Sequence, residues 1–376
     1  MWQLLRDRRA RILLPQWSFY LWELVVLVMA VRRFPDHAVL DIGAVFILRA
    51  IMPWVVGGLG ASIDTWPLVT AWRRVLGGLT VASIGVLLVP GPVWWLAVAA
   101  LEAGQALAKP LGRKVLYAGL EGDARKRWVT WMGAVENIAM PVAYAPILTA
   151  GPVAGIVVMI GSYGLAAWAG GAMSPERSMA APPRKPAYAA LWHTTWAHPV
   201  ARRLWWKIVM FALVVPPINA IGGLVVLSRF HVPEAWVGFL FAGLSFGAIG
   251  GYRYADRLPE RRSLVVVAVG FLGLATSPDL FLATLSMAVI GMGYGAFVAV
   301  QRQTVATQIP DDQRGQIQLL RQQGTAAGTA VGTAVVLGLW AVAPAIAWLA
   351  LCLGAGGLAV VPYVGGRSSW STALLS

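Results

Sequence analysis

The chain has 376 residues, 58% of them hydrophobic and only 12% charged, with a formal net charge of +14. A soluble domain carries about 25% charged residues, so this composition excludes an ordinary soluble protein and points to one embedded in a membrane. The basic residues punctuate the apolar segments at intervals instead of gathering on one face or tail, which speaks against a nucleic-acid partner.

A membrane-spanning helix needs about 20 mostly apolar residues, and twelve such runs are found along the chain. Met1 to Arg11 is basic; no small-residue cleavage site follows the first apolar run, so it leads into a retained span. Spans one to six fall at roughly 12–31, 38–60, 74–90, 92–116, 128–150 and 152–173. The stretch 174–203 holds Pro175, Pro182, Pro183 and Pro186 among Arg, Lys and His; it cannot span and is taken as a cytoplasmic linker. Spans seven to twelve follow at roughly 205–228, 233–254, 263–277, 279–309, 317–341 and 343–364. The expected fold is an all-α membrane protein of twelve transmembrane helices in two six-helix bundles, 1–173 and 204–376. No gap is long enough for a soluble catalytic domain.

Orientation follows from the basic residues, which mark cytoplasmic loops. With the N-terminus inside, 26 of the 30 Lys and Arg fall in inside segments. Arg32, Arg33 and Arg229 are left outside and Arg49 lies within a span. Both termini are therefore expected in the cytoplasm. The single Cys352 excludes an intrachain disulfide, and the four His show no metal-ligand spacing, so neither a metal nor another cofactor is expected. No phosphate-binding Gly-rich motif is present, nor any catalytic constellation, so the chain is not read as an enzyme.

Two loops and two helix ends repeat. Gly250 to Arg262 carries Gly251, Asp256, Arg257, Arg261 and Arg262, read as a tight turn whose glycines let two helix ends approach. Gly57, Gly58, Asp64, Arg73 and Arg74 supply similar ingredients 192 positions earlier. At an offset of 189, Gly104 matches Gly293, Arg113 matches Arg302, and Asp123 and Arg125 match Asp312 and Arg314. Parallel repeats about an axis along the membrane normal account for this pattern.

In these residues the chain resembles the major facilitator superfamily over nearly its whole length. Gly251, Asp256, Arg257, Arg261 and Arg262 match that family's loop signature; the first half keeps Gly57, Gly60 and Asp64 but has Thr65 where an Arg is expected. Ala108-Lys109-Pro110 through Arg125, and Gln308 through Gly315, look like the exporter branch that includes macrolide- and siderophore-efflux proteins. There are departures. No fourth-span Arg stands near Gly104, and the fifth-span Gly-Pro signature is reduced to Met140-Pro141. Both departures bear on the proton-coupled antiport that the resemblance implies.

Charges inside a span cost about 2.5–3.5 kcal/mol on insertion scales, so each needs a reason. Counting about 1.5 Å per residue, Glu23, Arg49 and Glu102 all fall near the midplane, where such folds place substrate and coupling sites. Two readings stand: a Glu that binds a proton or a cationic substrate with Arg49 as its charge partner, or a neutralised pair that only fixes packing. Glu136 and Lys109 lie at similar depth and are expected to pair near the inner surface. Arg302 and Arg321 are expected to snorkel there, and either to attract an anionic substrate or to clasp Asp311 and Asp312 as a gate. Asn219 is a candidate hydrogen-bond donor to substrate or to a neighbouring helix. Gly324, Gly328 and Gly332 form a small-residue ridge for close helix packing. Trp94, Trp95, Trp192 and Trp196 suit interfacial belts, and Trp22 is a candidate wall for an apolar substrate.

The leading expectation is a monomeric transporter of the bacterial inner membrane that exports a small, largely apolar compound by alternating access. Its partners are then that small molecule, protons and the lipid bilayer. The alternatives are an uncoupled facilitator or importer, and a non-transporting membrane assembly partner. Asp256 is expected to pair across the bundle interface.

Overall fold

The computed structural model describes residues 18–19, 21–22, 25–26, 29–30, 33–34, 38–57, 67–117, 122–171, 192–193, 196–219, 229–231, 237–309 and 313–360. Among them there are helices and no strands. In chain order they are α1 (Ala38–Val55), α2 (Leu68–Leu88), α3 (Trp94–Tyr117), α4 (Gly122–Gly171) and α5 (Pro199–Val214). The second set is α6 (Val237–Arg253), α7 (Glu260–Thr276), α8 (Leu280–Gln308), α9 (Arg314–Val342) and α10 (Pro344–Val360). Helical positions from Ser18 to Arg33 precede α1 and form the buried stripe of the first span.

Most element ends follow from local chemistry. α4 is two helices joined at Gly151, whose φ of 81° and ψ of 176° are open to Gly and costly for other residues. Pro152 after it cannot continue the ladder of the preceding helix. This places a break where the sequence predicts the boundary of spans five and six. Asp279 caps α8 by accepting from the Leu282 amide at 2.8 Å.

Two apolar cores form, one from Phe19 to Ala166 and one from Ile208 to Ala359. Within the second, α6 and α8 lie backbone to backbone. A Cβ on Gly243, Gly247 or Gly251 would meet the carbonyl oxygens of Thr284, Ala288 and Met292 at 2.4, 1.8 and 2.1 Å. Only glycine fits at such an approach. Gly251 is therefore a packing residue inside α6, and the chain turns later, where Arg257 and Leu258 amides bond the Tyr254 carbonyl. The expected ridge on α9 is present, and its partner is α5: Gly328 and Gly332 face the Val209 and Leu213 carbonyls.

Helices long and apolar enough to cross a membrane are Leu68–Leu88, Gly151–Trp168, Leu280–Gln308 and Ile317–Val342. Large apolar side chains point outward from them and their neighbours, among them Leu88, Leu96, Trp168, Phe246, Phe281 and Val342. Water would penalise such a surface and lipid would not, so the chain is a multi-pass membrane protein.

Arg33 and Arg229, two of the three arginines expected outside, have a structural use. Arg33 donates to the carbonyls of Val86, Leu87 and Val89 at the C-terminus of α2. Arg229 donates to those of Leu274 and Ser277 at the C-terminus of α7. A helix end leaves carbonyls without partners and carries partial negative charge, and each guanidinium answers both. Trp94, expected in an interfacial belt, is instead fully buried, donates to Val86 O at 3.1 Å and carries Arg33 over its ring.

Candidate functional site

Two charge clusters stand out. The first lies inside the first-half core. Glu102 on α3 is 5% exposed, and its Oε1 receives the Trp22 indole N–H at 3.0 Å and Arg49 Nε at 3.3 Å. Three segments meet there: the first helical stripe, α1 and α3. Both donors use one oxygen, so among the described residues Oε2 has no donor. A buried carboxylate is tolerated when paired and hydrogen-bonded, and this one is held by one face only. The predicted Glu102–Arg49 pair is thus brought together. Trp22 joins it as a hydrogen-bond donor, not as an exposed aromatic wall. Glu23 lies outside the described residues.

The second cluster joins the two halves. Glu136 on α4 accepts a hydrogen bond from Arg302 Nη2 of α8, and Arg113 Nη2 of α3 lies 3.5 Å from its other oxygen. Arg113 also donates to Gln318 on α9 at 3.2 Å, and Arg321 donates to the same oxygen at 3.1 Å. The Tyr252 ring lies under Arg302 at 5.5 Å. Apolar contact among Leu116, Val129, Met132 and Ala306 seals the cluster, and Gln323 of α9 donates to Pro53 O of α1 beside it. Oppositely charged groups from both halves are therefore locked at the end of the molecule that carries the Arg-rich loops.

This arrangement corrects several expectations. Lys109 makes no close ion pair with Glu136 but acts on its charge from farther off, and its ammonium lies 5.9 Å from the Phe19 ring centre. Arg302 does not snorkel: it is 7% exposed and spent on Glu136. Asp256 does not cross the interface. It sits exposed in the turn after α6, with no ion pair among the described residues, next to Arg257, which lies over Tyr254. The acid in use is Glu260, four positions on, held by Lys207 Nζ at 2.6 Å and Gln301 Nε2 at 3.0 Å. Sequence reasoning missed it. A carboxylate in the first turn of a helix, beside a basic pair, was the available signal.

The remaining candidates scatter. Arg261 donates to Ala359 O and caps the end of α10, whereas Arg262 is exposed. Asn219 is exposed beyond the Pro216-Pro217 break and joins neither cluster. Arg314 begins α9; Asp64 and Asp312 lie outside the described residues.

No protein-family model and no curated relative matches the chain. Solved structures do. The human organic anion transporter MFSD10 (TETRAN) is similar with a TM-score of 0.73 at 14% identity, over 95% of this chain and 97% of that one. A bacterial homologue of the iron transporter ferroportin, in an outward-facing state, gives 0.72 at 13% identity, over 93% and 97%. The major facilitator superfamily transporter FucP, in the outward conformation, gives 0.69 at 9% identity, over 94% and 98%. The fold is that of major facilitator superfamily transporters.

Proposed function

We propose that the chain is a proton-coupled secondary transporter that exports a small, largely apolar compound across the bacterial inner membrane. In this reading twelve spans form two six-helix bundles, 1–173 and 204–376, with 174–203 and both termini in the cytoplasm, and a monomer is the working unit. The Glu136–Arg302–Arg113–Gln318 cluster is the cytoplasmic gate, shut in this conformation. The molecule is then outward-facing, like two of its solved neighbours, and alternating access consists of parting the halves at this cluster while the outer ends close.

One observation carries the reading: oppositely charged, buried groups are shared between the halves at the loop-bearing end. A purely structural membrane protein has little use for such a pair, because apolar packing there stabilises as well or better. A pair that hydrates when the halves part gives two states of similar free energy. Coupling is assigned to Glu102, whose Oε2 is the oxygen left for a proton while Trp22 and Arg49 hold Oε1. Among the described residues no three His, Cys, Asp or Glu gather as a metal site.

The test uses purified protein in liposomes under an imposed pH gradient, with ethidium as the probe. Gradient-driven ethidium movement by wild type, lost in Glu102→Gln, is the expected result. Movement that ignores the gradient would remove the coupling, and no movement of any apolar cation tried would remove export.

A further inference from the structure

Below Glu102, toward the cytoplasmic side of the proposed topology, three buried polar atoms come from three different segments. They are Ser18 Oγ, Gln105 Nε2 of α3 and Tyr163 Oη of α4; the residues are 0, 3 and 0% exposed. None of these atoms has a hydrogen-bond partner among the described residues. Their levels agree. Ser18 is one turn inward of Trp22, Gln105 is one turn inward of Glu102, and the Gln105 side chain lies beside the Tyr163 hydroxyl. At the same level the Phe19 ring lies 5.8 Å from the Tyr163 ring between centres, and the Lys109 ammonium, one turn inward of Gln105, lies 5.9 Å from the Phe19 ring centre.

Burying one unsatisfied polar group costs about 1–3 kcal/mol, and three at one level of a membrane core is a cost that packing alone does not explain. Buried water is the usual answer, each molecule making about three hydrogen bonds to such groups. We infer that Ser18, Gln105 and Tyr163 line a water-filled proton path inside the first bundle, leading from Glu102 Oε2 past Phe19 to Lys109 and the cytoplasm. This rests on Glu102 being the protonated group of the proposed transport.

Protons move along it by exchange between neighbouring oxygens. Water donates to Glu102 Oε2, the Tyr163 and Ser18 hydroxyls each give one proton and receive another, and the Gln105 amide orients the chain without ionising. Among the described residues, the charged and titratable groups facing Glu102 are Arg49 from α1 and Tyr163 from α4; Lys109, two turns along α3, acts on Glu136. Phe19 stands beside the path, tilted against the Tyr163 ring on one side and facing the Lys109 ammonium on the other. A path inside one bundle would load or unload Glu102 from the cytoplasm while the Glu136–Arg302 gate stays shut.

The experiment follows the carboxylic C=O stretch that appears on acidifying the protein in phosphatidylcholine nanodiscs. Its rate of shift on transfer to D2O reports access to the carboxyl proton. Glu102→Gln identifies the band. Tyr163→Phe and Ser18→Ala remove one hydroxyl each and little volume. Each is expected to slow the shift about tenfold, equivalent to about 1.4 kcal/mol in the barrier, with the band still present. A Glu102 band that shifts at the wild-type rate in both variants overturns the path and leaves the coupling standing. Wild type and Glu102→Gln giving identical spectra at every pH would mean that Glu102 takes no proton, which sinks the coupling and the path together.

Discussion

Replacing Glu136 with Gln tests whether the cluster between the halves is a gate. Glu136 is 4% exposed, bonded to Arg302 and 3.5 Å from Arg113. Removing one member of a buried pair costs about 3–5 kcal/mol because the other charge stays buried. Gln keeps the volume and one acceptor, so about 3 kcal/mol is the loss expected while this end is closed. Once the halves part, water reaches all three side chains, and an exposed pair is worth only about 0–1 kcal/mol. The difference of about 2–3 kcal/mol shifts the closed-to-open ratio roughly 30- to 140-fold. Spin labels report it directly. Cys352 is the one native thiol, so Cys352→Ser gives a clean background for Arg73→Cys and Arg262→Cys, both exposed near the first turns of α2 and α7. Pulsed electron paramagnetic resonance should show the long-distance population growing in Glu136→Gln and in Arg302→Gln. Unchanged distance distributions in both variants would refute the gate.

Arg33→Ala and Arg229→Ala each strip the carbonyls of a helix end of a charged donor; a loss of about 1.5–3 kcal/mol each should lower the thermal midpoint in detergent, additively in the double variant. Gly247→Ala places a methyl 1.8 Å from Ala288 O and should abolish or sharply reduce folded yield, whereas Gly250→Ala meets nothing within 4 Å and should melt like wild type. Asp256→Ala should leave transport of ethidium near the wild-type rate. Glu260→Gln, which weakens the hold on Lys207 and Gln301, should change the rate, and the reverse ranking would restore Asp256 as the working acid. Gln318→Glu puts a second carboxylate between Arg113 and Arg321. A gain of about 1.5–3 kcal/mol from charged hydrogen bonds should slow transport while raising the melting midpoint.

Depth was legible in the sequence and direction around the helix was not. Counting residues from a span's end placed Glu102 and Arg49 at one level, and they meet. The same count placed Glu136 beside Lys109, but each residue turns a helix by about 100°, and that rotation leaves Lys109 over Phe19, within electrostatic reach of Glu136 and short of an ion pair. Repeats were the better guide to partners. Arg113 and Arg302, matched at an offset of 189, converge on Glu136 from opposite halves. Arg33 and Arg229 could have been paired in the same way, since Arg33-Phe34 and Arg229-Phe230 repeat at an offset of 196. Loop charge patterns misled about Asp256. It stands at the tip of the turn, where a short side chain reaches only water, while Glu260 begins a helix packed on α8 and within reach of α5.

The repeat is symmetric in its arginines and asymmetric in what receives them. Arg302 goes to a carboxylate, while Arg113 is divided between that same carboxylate and the neutral Gln318. With no acid in the cluster, two guanidinium groups would repel each other in a low-dielectric seam and the end would not close. A second acid would add about 1.5–3 kcal/mol of charged hydrogen bonds to the closed state, a shift of roughly 10- to 140-fold toward it. A single acid shared by two arginines keeps the balance within a few kcal/mol, where both states are populated and a proton or a bound molecule can tip it. In the proposed gate, the departure from symmetry is the feature that lets this end open as well as close.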